Sequence, residues 1–183
     1  MLAEIRSGEP EAPNLAPSAP PTPRLEVRAF DNTRHRAQVV SLWTEVFADD
    51  SPHNAPTLAI DQKLAAADGL FFVATKGEQV VGTIMAGYDG HRGWLYSVAV
   101  HPSCRHQDIG SALLQTAEQA LAERGCLKVN LQVVESNAGV VGFYAAQGYA
   151  VEKRISMGKL LGGGRVAKSL EPQNMTEQPI AAV

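Results

Sequence analysis

Residues 98–111 combine residue types that suit the binding of an anion. An apolar strand pattern that ends at Val100 passes through a short loop into a helical pattern that begins near Ile109. The first turn of a helix presents unpaired backbone N–H groups and the positive end of the helix dipole, where phosphate groups bind. Arg105 adds a positive charge, and Gly110 permits close approach of the backbone. The segment therefore predicts a phosphate site, with an ordinary strand-to-helix connection as the alternative.

A second segment places polar groups on a short helix that follows a strand pattern. It contains Asn137, Tyr144 and the pair Gly148-Tyr149. A tyrosine on an amphipathic helix is typical of a core side chain, and we interpret the neighbouring Phe143 in that way. Tyr144 therefore has two interpretations, a core aromatic or a phenol that takes part in chemistry.

The two segments together resemble motifs of the GNAT superfamily of N-acetyltransferases. In the first, V-x-P-x-x-R-x-x-x-I-G-S-x-L-L is similar to the family's acetyl-CoA pyrophosphate loop, whose pattern R/Q-x-x-G-x-G/A maps onto Arg105–Gly110. The second, residues 137–149, is similar to the family's N-x-x-(A/G)-x-x-x-Y-x-x-x-G-Y signature. Both stand at the family's separation and in its element order. The resemblance covers about residues 25–160 and favours the chemical interpretation of Tyr144.

Asp108 departs from the family pattern, because the family has glycine at this position. A carboxylate at the start of a helix stabilises the free protein by roughly 0.3–1 kcal/mol. It would also repel a bound pyrophosphate and crowd the approach of the backbone, so the departure predicts weakened acetyl-CoA binding. His106 likewise replaces the small residue that usually follows the arginine.

The resemblance implies a role for each matching residue. Backbone N–H groups around Val98 and Val100 would hold the pantetheine arm and face the thioester, between two strands that splay apart. Asn137 would bond the pantetheine, and the Tyr144 hydroxyl, with an ordinary pKa of about 10, would protonate the departing sulfur. The implied cofactor-binding residues are Val98, Ala99, Val100, Arg105, His106, Gln107, Asp108, Ile109, Gly110, Ser111, Asn137 and Tyr144.

The general base has several candidates. Glu135 lies at the end of a predicted strand near Asn137, with an exposed loop carboxylate as the alternative interpretation. Tyr96, Ser97 and Asn130 are other candidates that would act through water. An α-amine with a pKa of about 8 would need little help from a base, whereas a lysine at about 10.4 would need more. The identity of the base therefore depends on the acceptor.

The function implied by the resemblance is an N-acetyltransferase with acetyl-CoA as cosubstrate. The acetyl group would pass to a small-molecule or peptide amine by direct attack in a ternary complex, because Cys104 lies in the predicted phosphate loop rather than at the thioester. The alternative is a degenerate GNAT domain that binds acyl-CoA weakly or acts as a regulatory or interaction module. Asp108 favours the alternative, whereas Asn137 and Tyr144 favour catalysis.

Two segments are candidates for acceptor recognition. The segment 87–96 resembles the hairpin of a bacterial YpeA-like GNAT subgroup, in which Asp89, His91 or Arg92 would contact the acceptor; an ordinary solvated hairpin is the alternative. The pair Asp49-Asp50, before Ser51-Pro52-His53, lies in a loop that lines the acceptor site in many GNAT proteins.

The hydrophobic periodicity predicts the elements that position these residues. In chain order they are strand Leu25–Phe30, helix Thr33–Phe47, helix Thr57–Ala67, strands Leu70–Thr75, Gln79–Tyr88 and Trp94–Val100, a helix from Ile109 that stops at Gly125, strand Leu127–Val134, helix Asn137–Gln147, and one or two strands in Tyr149–Leu160. Asp89-Gly90 predicts a hairpin with a type I′ turn. This order predicts an α/β fold. The resemblance implies a GNAT-like mixed, mostly antiparallel sheet of six to seven strands, with splayed central strands and about four flanking helices.

Composition and charge exclude several classes of protein. Residues 24–162 contain 13 Lys and Arg against 14 Asp and Glu, so they lack the basic face that nucleic-acid binding requires. No run of about 18 apolar residues would span a membrane, and no secretory signal pattern occurs. Cys104 and Cys126 lack metal-binding spacing. We expect a cytoplasmic protein with reduced thiols, no metal ion and no membrane or nucleic-acid partner, with a homodimer as an alternative to a monomer.

The distribution of aromatic residues and prolines predicts the domain boundaries. All 11 aromatic residues lie between Phe30 and Tyr149, whereas six of the 11 prolines precede Arg24. A segment without large apolar groups buries too little surface to offset the entropy lost on ordering. We expect a disordered Pro/Ala-rich extension at 1–23, a GNAT domain at 24–162 and a flexible tail at 163–183.

Overall fold

The computed structural model describes residues 23–47 and 51–161. Within them the chain forms five β-strands, four α-helices and three short 3-10 turns. The strands are β1 (Leu25–Ala29), β2 (Phe71–Lys76), β3 (Gln79–Tyr88), β4 (Gly93–Val100) and β5 (Val129–Leu131). The helices are α1 (Asn32–Val46), α2 (Pro56–Ala66), α3 (Ile109–Ala122) and α4 (Val141–Ala146). The 3-10 turns are Pro52–Asn54, Pro102–Cys104 and Glu135–Val140.

The predicted extension at 1–23, the tail at 163–183 and the pair Asp49-Asp50 lie outside the described residues, apart from Pro23. Their roles stay predictions.

The five strands form one sheet in the order β1-β2-β3-β4-β5. The first three pairs of neighbours are antiparallel, and β4 pairs with β5 in parallel. The predicted mixed, mostly antiparallel sheet is therefore confirmed. The predicted number of six to seven strands is wrong, since the described residues form five.

The missing strands are those predicted in Tyr149–Leu160, which form no backbone ladder. This segment contacts the β5 region through side chains. For example, the Gln132 amide donates a hydrogen bond to the Ser156 hydroxyl at 2.6 Å. The strand predicted at 127–134 is present only as the three residues of β5. Leu127 and Val134, on either side of β5, are 97% and 68% exposed. An alternating sequence makes a strand only where neighbouring backbone groups pair with it.

Local capping signals set the helix boundaries. The Asp31 carboxylate accepts a hydrogen bond from the Arg34 backbone N–H at 2.8 Å and so caps α1. α2 begins at Pro56, whose missing N–H would have no helical partner at that position. Gly125 follows α3 with a φ of +82°, a left-handed conformation that ends a helix.

The β3–β4 hairpin is present as predicted, but its turn is not type I′. Four residues, 89–92, connect the strands, and Gly90 alone among them has a positive φ, of 88°. Asp89 Oδ1 accepts hydrogen bonds from the backbone N–H groups of Arg92 at 2.6 Å and His91 at 2.8 Å. Both bonds lower the pKa of the Asp89 carboxyl, and the bond from Arg92 has the larger effect. Asp89 therefore shapes a longer loop by bonding to its own backbone.

The sheet carries helices on both faces. α3 covers one face, where Leu113 and Leu95 belong to one buried cluster. α1 and α2 cover the other face, where Trp43, Ile60 and Ala99 belong to a second. Because β4 contributes to both clusters, its position is fixed in the middle of the domain.

Candidate active site

β4 and β5 are paired for three residues and then separate. Gly93–Leu95 lies opposite Val129–Leu131, and β4 continues for five residues beyond this ladder. On its other edge β4 stays paired with β3 as far as Val100. Beyond Leu95, the edge of β4 that faces β5 has no strand partner within the described residues. This separation is the arrangement expected for splayed central strands.

Ser97 marks the point where β4 changes direction. Its φ is +51°, and the register between β3 and β4 shifts beside it. A bulge of this kind re-aims the residues that follow. Val98 and Val100 then pack toward the α3 side, while Ala99 is buried on the α1 and α2 side. The three predicted cofactor-binding residues of β4 all lie in its unpaired part.

The start of the loop between β4 and α3 is tied to both the sheet and α1. The His101 backbone N–H donates to the Val81 carbonyl at 2.9 Å. The His101 ring lies between two side chains, with Nε2 3.5 Å from a Glu45 carboxylate oxygen and Nδ1 2.8 Å from Ser103 Oγ. The loop therefore leaves the sheet from a fixed position.

The predicted phosphate-loop residues gather at the first turn of α3. His106 and Asp108 have φ values of +59° and +57°, a region that glycine occupies freely and other residues seldom do. Asp108 stands at the cap position of α3, but its side chain makes no capping hydrogen bond. Exposed side chains belong to Arg105, His106, Gln107 and Asp108, whereas Ile109 is buried and Gly110 and Ser111 are partly buried.

Lys76 is a second cation at this loop, and sequence reasoning missed it. It ends β2, and its ammonium group donates a hydrogen bond to the Gln107 side-chain oxygen. The contact joins residues 31 positions apart, so no local pattern marks it. Arg105 and Lys76 therefore both bring positive charge to the loop that carries the Asp108 carboxylate.

Gly110 has a packing role in addition to the predicted one. A Cβ atom added at this position would lie 2.9 Å from Phe143 Cζ, a distance that real Cβ atoms do not show. Phe143 therefore occupies the space beside the first turn of α3, and α4 depends on that space for its position.

Gly110→Ala is expected to lower the free energy of unfolding by about 1–2 kcal/mol. Overpacking costs about 1–3 kcal/mol, and the better helical propensity of alanine offsets up to about 1 kcal/mol. Urea denaturation measures the change. The double variant Gly110→Ala/Phe143→Leu should recover part of the loss, because leucine lacks the ring atom that the added Cβ would meet. A Gly110→Ala protein as stable as the parent would contradict this contact.

Tyr144 is partly buried on α4 between two other aromatic rings. Its ring centroid lies 5.2 Å from that of Phe143 and 5.8 Å from that of Tyr149, both in edge-to-face geometry. Burial raises the pKa of the Tyr144 phenol above its usual value. The phenol is therefore protonated at neutral pH. Within the described residues its hydroxyl makes no hydrogen bond, so it is available to another group.

Tyr149 anchors the end of α4 to α3. Its hydroxyl donates a hydrogen bond to the Glu118 carboxylate at 2.6 Å. Burial first, and then this bond, raise the pKa of the Tyr149 phenol. The contact fixes the ring against which Tyr144 packs. The motif marked Tyr149, but its partner lies 31 residues earlier and carries no signal in the sequence.

Glu135 and Asn137 lie on the 3-10 turn that follows β5. Both side chains are exposed. The Asn137 backbone N–H donates to the Val134 carbonyl at 2.8 Å, and its φ of −110° interrupts the turn. The chain thus brings both residues to the end of β5 that separates from β4.

Two of the other base candidates, Tyr96 and Asn130, lie on β4 and β5. The Tyr96 hydroxyl donates to the Ala86 carbonyl at 3.3 Å, and the Asn130 amide nitrogen lies 3.4 Å from the Glu152 carboxylate. The Asn130 amide oxygen is buried and has no partner within the described residues. An unpaired buried acceptor is uncommon in folded proteins.

The described residues contain neither a metal-binding cluster nor a membrane-spanning helix. No set of three or more His, Cys, Asp or Glu side chains in that part of the chain is arranged to hold a metal ion. None of its helices is long and apolar enough to cross a membrane.

Several solved acetyltransferase structures are similar to this chain. The aminoglycoside N-acetyltransferase AAC(6')-Iy, solved with CoA, is 19% identical with a TM-score of 0.64, over 78% of this chain and 98% of that one. Glucosamine-6-phosphate N-acetyltransferase from Arabidopsis thaliana is 17% identical with a TM-score of 0.57, over 76% and 99%. The PaiA N-acetyltransferase from Thermoplasma acidophilum, solved with coenzyme A, is 19% identical with a TM-score of 0.62, over 72% and 93%. At these identities the likeness shows a shared fold.

The family assignment comes from the sequence. The profile of the Acetyltransferase (GNAT) family matches residues 36–149, more than half of the chain. The matched range runs from α1 to the end of the Asn137–Tyr149 motif, and includes the separation of β4 from β5 and the loop into α3. This chain belongs to the acetyltransferase (GNAT) family.

Proposed function

We propose that the protein is an acetyl-CoA-dependent N-acetyltransferase that works by direct attack in a ternary complex. The observation that carries the proposal is the separation of β4 from β5 after Leu95, next to a loop that delivers Arg105 to the start of α3. Acetyl-CoA is a long molecule with a thioester at one end of a pantetheine arm and a diphosphate at the other. A strand edge without a partner suits the arm, and a helix N-terminus suits the diphosphate.

In this proposal the cofactor is held mainly by backbone groups. N–H groups around Val98 and Val100 bond the pantetheine arm, and the free N–H groups at the first turn of α3 meet the diphosphate together with Arg105. Asn137 bonds the arm from the β5 side. Amides held by a fixed strand need no rearrangement when the thioester oxygen becomes negatively charged, which is where such donors lower a barrier most.

Proton transfer completes the reaction. The neutral amine attacks the thioester carbonyl, so that a carbon–nitrogen bond forms and the carbon–sulfur bond breaks. Tyr144 gives its phenolic proton to the departing sulfur and recovers one from solvent. Glu135 is the proposed base that takes the proton from the amine, with Tyr96, Ser97 and Asn130 as the alternatives that act through water. An acceptor amine with a low pKa needs this base least.

We favour the enzyme over the non-catalytic alternative. Asn137 and Tyr144 are both present, and Asp108 holds the left-handed backbone conformation that the family's glycine would adopt. Aspartate is among the residues that tolerate this conformation best, so the loop keeps its shape while its charge changes. The proposal includes a YpeA-like subgroup, a cytoplasmic location consistent with the free thiols of Cys104 and Cys126, and a homodimer as an alternative to a monomer.

The experiment that tests this function measures CoA release from acetyl-CoA by a thiol reagent. A panel of small amines, aminoglycosides and peptides with free N-termini supplies the acceptors. We expect at least one amine to raise the release rate well above the rate without acceptor. Acetyl-CoA binding by calorimetry without release for any amine would contradict the enzyme. Binding only after Asp108→Gly would support the non-catalytic alternative.

A further inference from the structure

Two aromatic side chains of β4 are exposed although every other aromatic residue is at least partly buried. All 11 aromatic residues of the chain lie within the described residues. Nine of them are buried or partly buried, whereas Trp94 and Tyr96 are 38% and 42% exposed. Aromatic rings stabilise a fold mainly through burial, so two exposed rings on one central strand call for a reason outside the fold.

The two rings lie on the same face of the sheet. Residues two apart on a strand point to the same side. Gly93 and Leu95 face α3, since a Cβ at Gly93 would lie 2.8 Å from Leu121 Cδ1 and Leu95 belongs to the α3 cluster. Trp94 and Tyr96 therefore face the side of α1 and α2.

This face borders the reacting centre of the proposed function. Tyr96 is the first β4 residue beyond the ladder with β5, and it directly precedes the bulge at Ser97. A strand rises by about 3.3 Å per residue, so Tyr96 is about 7 Å along the strand from Val98, where the thioester is proposed. A group seated on the two rings is thus within one side-chain length of the thioester.

The Tyr96 ring is held in place by contacts with a buried lysine and a backbone carbonyl. The Lys63 ammonium group lies 5.5 Å from its centroid, and this side chain is only 4% exposed. Lys63 bonds to the Asp68 carboxylate at 2.6 Å and also to the Ala86 carbonyl, which accepts the Tyr96 hydroxyl as well. A fixed ring loses little entropy when a ligand stacks on it.

The Asp89 carboxylate lies beside the Trp94 side chain. Backbone hydrogen bonds, and to a smaller extent the Trp94 side chain, lower the pKa of Asp89, so that this group stays ionised. Asn130 lies opposite Trp94 in the β4–β5 register and contacts the Glu152 carboxylate, whose charge is paired with Lys128 and Arg154. Aromatic faces attract cations and pack against the face of another ring, and the Asp89 carboxylate favours a positively charged ligand.

We propose that Trp94 and Tyr96 form an acceptor platform, and that the acceptor is an amine carried on a six-membered ring. The inference rests on the proposed function, because it assigns the acceptor of the same site. The ring stacks on Trp94 and Tyr96, and the Asp89 carboxylate attracts the ammonium form of the amine before it reaches the thioester. Aryl-alkylamines and amino sugars share this chemistry, and a linear alkylamine lacks it.

The kinetic test compares matched acceptors. 2-Phenylethylamine, glucosamine and hexylamine are each assayed by CoA release with the parent protein, Trp94→Ala and the ring-conserving control Trp94→Phe. We expect a ring-borne amine to have a KM about tenfold below that of hexylamine. Trp94→Ala should raise that KM about tenfold and leave the KM for acetyl-CoA and for hexylamine within twofold, and Trp94→Phe should stay near the parent. Equal use of hexylamine, or a Trp94→Ala protein with the parent's KM values, overturns the platform and leaves the acetyltransferase intact.

A binding test separates the platform from the activity. The chain has two tryptophans, and Trp43 is 2% exposed with its indole N–H bonded to Thr83 Oγ1 at 2.8 Å. Fluorescence that changes on titration with 2-phenylethylamine or glucosamine therefore reports Trp94, and Trp94→Phe supplies the blank. A saturating change that Trp94→Phe abolishes, without CoA release, supports the platform and overturns the proposed function. No saturating change with either ring-borne amine, in the presence or absence of CoA, overturns the platform.

Discussion

Replacing Asp108 by glycine is expected to tighten acetyl-CoA binding by about tenfold to a hundredfold. Two unit charges about 4 Å apart repel by about 1 kcal/mol in bulk water and about 4 kcal/mol near a protein surface, and about 1.4 kcal/mol is a tenfold change in affinity. The carboxylate stands at the cap position of α3, where the diphosphate is proposed to bind, and its side chain makes no capping bond that the variant would lose. Its φ of +57° is also one that glycine adopts without strain.

Asp108→Asn is the matched control for this prediction. Asparagine keeps the size of the side chain and tolerates the left-handed conformation, so it removes the charge alone. Calorimetry with acetyl-CoA should give most of the gain with Asp108→Asn and a further gain with Asp108→Gly. Raising the salt concentration should shrink the difference between Asp108→Asn and the parent, because salt screens exposed charges. An Asp108→Asn protein with the parent's affinity would show that the carboxylate does not face the bound diphosphate.

Periodicity predicted most of the elements, because each of them buries one face. β3 has the predicted bounds, and the apolar stripe of α3 fits its buried residues Ile109, Leu113 and Leu121. Periodicity failed at 149–160, where Val151, Ile155 and Met157 alternate with polar residues but are more than 80% exposed. Alternation indicates which side chains share a face, whereas a strand also requires a neighbouring strand to pair with its backbone groups.

Motifs predicted the parts of the candidate site that lie within one loop or one helix. Arg105 and Asp108 at α3, and Tyr144 on α4, are candidates identified in this way, and their roles stay predictions. Lys76 at Gln107 and Glu118 at Tyr149 were not, since each contact joins residues 31 positions apart and depends on how two elements pack. The exposure of Trp94 and Tyr96 is also a property of the fold, because the same aromatic pattern would suit a buried strand.

Tyr144→Phe is expected to lower turnover by about 10²- to 10⁴-fold and to leave acetyl-CoA binding nearly unchanged. General acid catalysis contributes an effect of that size, and phenylalanine removes the acid without removing the ring. The ring packs edge-to-face against Phe143 and Tyr149, so the variant should keep its fold. Turnover is measured by CoA release and binding by calorimetry.

Tyr149→Phe provides the matched control, because it removes a phenol from the same aromatic cluster. Its hydroxyl is already bonded to Glu118, so we expect a modest loss of stability and a turnover within a few-fold of the parent. A drop as large as that of Tyr144→Phe would mean that the cluster acts through its structure rather than through one proton donor.

The pH dependence distinguishes an acid from a packing residue at position 144. Burial raises the pKa of Tyr144 above its usual value near 10, so the phenol stays protonated through neutral and mildly alkaline pH. The decline in turnover caused by its ionisation should therefore begin only above about pH 10, and the ratio of parent to Tyr144→Phe turnover should be constant between about pH 7 and 9. A ratio that falls across that range would mean that the Tyr144 phenol loses its proton there, which would contradict a raised pKa. Because a thiolate is a far better leaving group than an amine, an unchanged turnover in Tyr144→Phe would mean that sulfur departs without a donor and that the amine's own deprotonation limits the reaction.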